Sequence, residues 1–341
     1  MANFDAIAGL SIPVLSADPS NPIQGELWYN TTADKFRGYG LYQVNAAWSS
    51  APSGLNAGRR SCPGAGTVDD GIGFAGYIGG YPRYGGTETY NGSSWSTGPG
   101  LPTPLGASLT HIGTGSEAAG VGGYYYSGPY GFVSNYNIQW NGSSWSTATA
   151  LPANRYGLGG CGNGSDDYQV AGGANANGGY FPQTTSWSWN GSAWSSEPAA
   201  NWTPGTSCET MSFGTSTSDW FATVDSATTA MFEYNGTSWS TSPATFAAAT
   251  SGRSIWGNSD SATTTGGPAG PATTTQTWNG SAWATSPATS NSNHVAALRS
   301  NSTSSGTDGW VFGGGPGNGI SAGETFVGPV SGVQKVNLDF S

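Results

Sequence analysis

The chain has 341 residues, a formal charge of −10 and only 8% charged side chains, far below the roughly 25% of an average soluble domain. Its nine basic residues are scattered singly, which excludes an electrostatic footprint for nucleic acid or an anionic membrane surface. No run reaches the ~18 apolar residues of a spanning helix, so the chain reads as soluble, without membrane insertion. The 56 glycines would suit a disordered polymer, but 15 Trp, 16 Tyr and 12 Phe supply a large apolar area to bury.

In chain order, residues 1–25 read as an N-terminal arm. Met1–Leu10 carries Asp5 and no basic residue, and nothing there resembles a secretory signal. A hairpin is predicted over 26–39. At Val44-Asn-Ala-Ala-Trp48 stands a degraded copy of a phrase that then recurs intact. The copies are Tyr90-Asn-Gly-Ser-Ser-Trp95, Trp140-Asn-Gly-Ser-Ser-Trp145, Trp189-Asn-Gly-Ser-Ala-Trp194, Tyr234-Asn-Gly-Thr-Ser-Trp239 and Trp278-Asn-Gly-Ser-Ala-Trp283. The closing tryptophans Trp48, Trp95, Trp145, Trp194, Trp239 and Trp283 are spaced by 44 to 50 residues, as loop insertions would vary a stacked unit.

Each phrase is predicted to be a β-hairpin with a type I′ turn at Asn-Gly, since that turn needs positive φ at both central residues. Two further strand-like runs lie between hairpins. One is rich in small residues, as in Tyr156-Gly-Leu-Gly-Gly-Cys161; the other often ends in Gly-Gly, as at Gly122-Gly123, Gly172-Gly173 and Gly313-Gly314. Four strands in about 47 residues is the arithmetic of a propeller blade. The expected fold is an all-β, six-bladed propeller of four-stranded antiparallel blades over 26–341. Small residues would line the crowded axis, and the six tryptophans would fill the wedge between blades. Trp310-Val-Phe-Gly-Gly is followed by Glu324-Thr-Phe-Val327 but by no final Trp strand. The strand at Trp48 should therefore complete that last blade, with 323–330 as the closing C-terminal strand.

The units resemble kelch repeats: a Gly-Gly strand end, an aromatic before the turn, Trp after it, then Leu-Pro and Arg. The best copy carries Trp145, Leu151-Pro152 and Arg155. That resemblance implies a kelch-like propeller and says nothing of a ligand. A second resemblance covers Asp18-Pro-Ser-Asn-Pro22, Gly25-Glu-Leu-Trp28-Tyr-Asn30 and Lys35-Phe-Arg-Gly38-Tyr39. This stretch is similar to a segment common in tail and other virion proteins of marine bacteriophages. It implies a tail-fibre, tail-tip or head-decoration protein, assembled in the host cytoplasm and exposed on the particle. Residues 1–25 would then dock on other virion proteins.

Catalytic and cofactor motifs find no support. No HExxH, EF-hand or Walker loop occurs, and His111 and His294 occupy different places in the repeat. Cys62, Cys161 and Cys208 lack CxxC spacing and read as small buried hydrophobes. Arg59, Arg155, Arg253 and Arg299 follow their tryptophans by 10 to 16 residues and are expected to cap strand ends. Asp69-Asp70 and Asp166-Asp167 read as solvated turns. The expectation is a non-enzyme without metal or cofactor, the alternative being a glycan-cleaving propeller of sialidase or glycosidase type. Aromatic insertions at Tyr81, Tyr84, Tyr124, Tyr125, Tyr126, Tyr130, Tyr180 and Phe181 are the candidate contacts to a host-surface glycan, because loops on rigid scaffolds carry function.

Overall fold

The computed structural model describes residues 12–23, 25–44, 46–78, 84–102, 109–127, 130–175, 181–203, 210–224, 229–246, 253–266, 273–289, 298–299, 306–315, 319–328 and 330–337. Two compact units emerge, Met1–Ala46 with Pro329–Ser341, and Ala47–Gly328. No helix among the described residues is long and apolar enough to cross a membrane.

The first unit is one sheet, Val14–Leu15, Leu27–Asn30, Lys35–Val44 and Val330–Asn337 in spatial order. Val14–Leu15 runs parallel to its neighbour and the other pairings are antiparallel. Asp18 ties this unit together. Its Oδ1 accepts from Trp28 Nε1 at 3.0 Å and from Asn30 Nδ2 at 2.7 Å, while Oδ2 pairs with the Arg37 guanidinium. Those bonds hold its carboxyl below the ordinary 3.8, the Asn30 bond contributing most, then Trp28, then Arg37. The described part of the expected arm is therefore folded onto the hairpin through Asp18 and Val14–Leu15. The hairpin itself, expected within the propeller, belongs to this first unit.

Unit two contains six sheets whose four main strands, here a to d, follow one another antiparallel. Sheet one is Gly64–Gly66, Gly71–Phe74, Thr87–Tyr90 and Trp95–Gly98. Sheet two is Thr110–Gly113, Ala118–Val121, Asn137–Trp140 and Trp145–Thr147. Sheet three is Tyr156–Gly162, Tyr168–Asn175, Ser186–Trp189 and Trp194–Glu197, with Phe181–Pro182 added beside its b strand. Sheet four is Thr210–Ser216, Asp219–Val224, Ala230–Tyr234 and Trp239–Thr245, and sheet five is Arg253–Gly257, Ala262–Gly266, Thr275–Trp278 and Trp283–Ser286. Sheet six joins both ends of the unit: Leu298–Arg299, Asp308–Phe312, Gly323–Val327, then Ala47–Ser50, with Phe326 opposite Trp48. This is a β-propeller-like all-β fold.

The Asn-Gly turns differ from the predicted type I′. In all five, Gly has φ between 85° and 88° while Asn does not have positive φ. The connection is a four-residue loop closed by the aromatic pair, such as Tyr90 opposite Trp95 or Trp140 opposite Trp145. The Asn side chain replaces the missing backbone turn. Asn141 Oδ1, for example, accepts from Ser143 N at 3.0 Å, Ser144 N at 2.9 Å and Ser143 Oγ at 3.0 Å, the side-chain cap that Asx residues offer in turns.

The aromatic before each turn is the deeper one. Tyr90, Trp140, Trp189, Tyr234, Trp278 and Phe326 are all 4% exposed or less, each burial being worth about 2–3 kcal/mol. All six closing tryptophans stand on the outermost strand of their sheet; Trp95 and Trp239 are buried there, whereas Trp48, Trp145, Trp194 and Trp283 are half-buried. They act as latches between sheets. Trp145 Nε1 donates to Thr87 Oγ1 of sheet one at 2.7 Å, Trp48 Nε1 to Thr275 Oγ1 of sheet five at 3.0 Å, and Trp194 Nε1 to Thr149 O beyond sheet two at 2.9 Å.

In two copies of the repeat the Gly-Gly and Arg positions form one joint. Gly123 N donates to Arg155 O and Gly314 N to Arg59 O, both at 2.8 Å. A side chain at Gly122 or Gly313 would stand about 2.5 Å from those same carbonyls, and both glycines have positive φ. Small residues also receive large ones from the preceding sheet: Gly71 lies against the Trp310 ring and Gly309 against Trp256.

Candidate functional site

The connections of unit two gather at two ends. At the first, the a–b turns of neighbouring sheets meet, Gly115 against Asp70, Gly164 against Glu117 and Gly306 against Ser261, and the Asn-Gly turns lie beside them. The chain enters and leaves the unit here, since Ala47 is opposite Val327 and Gly328 N donates to Thr307 O. Exposed Asp69, Asp70, Glu117, Asp166, Asp167 and Asp260 make this end acidic. A cavity of about 400 Å³ opens among Glu117, Asn163, Asp166, Asp167, Thr215 and Ser216. Glu117 Oε1 accepts from Ser165 Oγ at 2.9 Å. A proton-donating carboxyl of a glycosidase is typically set in apolar surroundings, whereas Asp166 and Asp167 face solvent. Among the described residues no three His, Cys, Asp or Glu side chains are grouped to hold a metal ion.

The opposite end carries the b–c connections and the starts of the a strands, where Arg59, Arg155 and Arg253 are all buried. Arg59 pairs with the Glu88 carboxylate, both fully buried. Glu88 also accepts from Asn56 N at 2.7 Å and Ala57 N at 3.3 Å, so it holds the segment that leads from sheet six into sheet one. Arg155 donates to Asn154 O at 2.8 Å, with Gln183 and Thr185 oxygens at 3.4 and 3.3 Å, and lies over the Trp187 ring. Burial pushes its guanidinium below the ordinary value. The arginines thus include carbonyl caps, as expected. Glu88 as an ionic partner was not legible, since Thr-Glu-Thr-Tyr looks like any exposed alternation.

The candidate aromatics that are described fall at this second end. Tyr124–Ser127 and Tyr130–Val133 form a hairpin between the b and c strands of sheet two. On one face, Tyr124 and Val133 pack with Tyr156 and Ala174 of sheet three, the two tyrosine rings 5.7 Å apart. On the other, Tyr125 stacks on Phe132 at 5.4 Å and 26°, and Phe132 is 43% exposed. Phe181 is 56% exposed beside the same Ala174 region, opposite Asn175. Tyr84 is half-buried with the Arg59 guanidinium 4.5 Å over its ring, and burial pushes its hydroxyl up against the opposing pull of Arg59. Tyr81 and Tyr180 lie outside the described residues, as do the side chains of Tyr126 and Tyr130. Phe132 escaped the sequence reading, although Tyr130-Gly-Phe132-Val alternates as a strand facing Tyr124-Tyr-Tyr126 would.

No protein-family profile matches the chain, and no curated protein matches it in sequence. The solved structure of YjhT aligns with 82% of this chain and 98% of its own, with a TM-score of 0.64 at 13% identity. What the two have in common is the fold.

Proposed function

We propose that the chain is a non-catalytic virion protein. It would be a kelch-like six-bladed propeller, closed into a ring at sheet six, that presents its loop end to a host-surface glycan or decorates the particle. The first unit would attach it to other virion proteins, and it would take no metal or cofactor. Closure is supported by Leu298–Arg299 of sheet six lying beside Gly64–Gly66 of sheet one, as the other neighbouring a strands lie side by side.

The observation that carries the reading is the stacked pair of half-buried Tyr125 and exposed Phe132, with exposed Phe181, at the end opposite to where the chain enters unit two. Aromatic faces of this kind pack on the apolar face of a sugar ring while its hydroxyls stay hydrated. A glycan array and a host-envelope pull-down should show retention that Tyr125→Ala and Phe132→Ala each reduce at least tenfold. Unchanged retention in both variants would reject the surface, and new reducing ends released from host polysaccharide would reject the non-catalytic reading.

A further inference from the structure

We propose that, among the described Asn-Gly pairs, Asn163 is the one open to spontaneous deamidation, and that the repeat protects the five hairpin pairs from the same reaction. In an Asn-Gly pair the glycine nitrogen attacks the Asn side-chain carbonyl carbon. A C–N bond forms, the Cγ–Nδ2 bond breaks, and ammonia leaves carrying the glycine amide proton. Solvent water then opens the cyclic imide to aspartate or isoaspartate. Glycine favours the attack because no Cβ shields its nitrogen. The side chain must swing so that Cγ sits over that nitrogen, and whatever holds Oδ1 elsewhere opposes ring closure.

In the hairpin turns Oδ1 is held by three donors. Asn91 accepts from Ser93 N, Ser94 N and Ser93 Oγ at 2.9–3.0 Å; Asn190 from Ser192 N, Ala193 N and Ser192 Oγ at 2.9–3.1 Å. Asn235 and Asn279 repeat the arrangement with Thr237 and Ser281, and Asn141 has it as described above. The residue after each Gly is always Ser or Thr, which supplies the third donor. Asn163-Gly164 has the same dipeptide, and Ser165 follows it, but Ser165 Oγ is turned to Glu117. The Asn163 side chain is exposed and makes no hydrogen bond among the described residues. It lines the acidic cavity, so conversion would add a carboxylate beside Glu117, Asp166 and Asp167. Asn177-Gly178 and Asn318 lie outside the described residues.

The test is incubation of the whole protein in mildly alkaline buffer, with peptide mapping by mass spectrometry over time, in parallel with the same protein in urea. Three hydrogen bonds at roughly fivefold each slow the hairpin sites about 100-fold relative to Asn163 in the native protein. In urea all six sites should convert at similar rates. Ser143→Ala should accelerate Asn141 alone by about fivefold, and Gly164→Ala should silence Asn163. Hairpin sites converting as fast as Asn163 in the native protein would overturn the proposal, and so would an Asn141 rate unmoved by Ser143→Ala.

Discussion

Glu88→Ala is the perturbation whose outcome the structure constrains most tightly. The carboxylate and the Arg59 guanidinium are both fully buried, so truncation leaves a cation with neither counter-charge nor water. The amides of Asn56 and Ala57 lose their acceptor in the same step. Breaking a buried pair from one side costs about 3–5 kcal/mol, a factor of roughly 10² to 10³ or more in the folded-to-unfolded ratio. Urea unfolding followed by tryptophan fluorescence should show that loss. Arg59→Ala in the Glu88→Ala background should then add much less than it does alone, because the orphaned charge is gone. Glu88→Gln should fall between, keeping an acceptor for the amides. A loss below about 1 kcal/mol for Glu88→Ala would mean that the pair behaves like a solvated surface ion pair, and the clasp between sheets six and one would have to be abandoned.

Gly309→Ala should lower the melting temperature, by about 1–3 kcal/mol of overpacking, because a Cβ there would sit 2.2 Å from the Trp256 ring; Gly71→Ala, at 3.0 Å from Trp310, should be milder in the same thermal scan. Trp145→Phe removes the 2.7 Å bond to Thr87 while keeping most of the packing, and should cost about 1 kcal/mol by urea unfolding. Asp18 is held below its ordinary 3.8 in the folded state, so its contribution to the first unit is fully present above that pH and is lost as pH falls through the lower folded value. Protection of the Leu27–Asn30 amides, taken relative to their intrinsic exchange rate, should therefore fall in acid below about 3.8. Asp18→Asn should flatten that dependence, and an acid profile identical in the two proteins would refute the clasp.

The features legible in the residues were local or periodic. Asn-Gly between aromatic runs marks a strand reversal wherever it occurs, and the regular return of Trp marks the unit, so strand number and the pairing of the Trp48 strand with Phe326 could be read in advance. Depth could not, because Trp140 and Trp145 are the same residue type and only their distance from the sheet's outer edge separates them. The turn type was missed for a related reason: Asn can enter a turn through its backbone or cap it through its side chain, and the following Ser or Thr hydroxyls tip the balance to the cap. Asp18, Glu88 and Phe132 acquire their roles from groups brought near by the fold, Trp28 and Arg37 in one case, Arg59 in the second, Tyr125 in the third. Periodicity records which side chains alternate along a strand, but the neighbour across a gap is chosen by how strands and sheets meet in space.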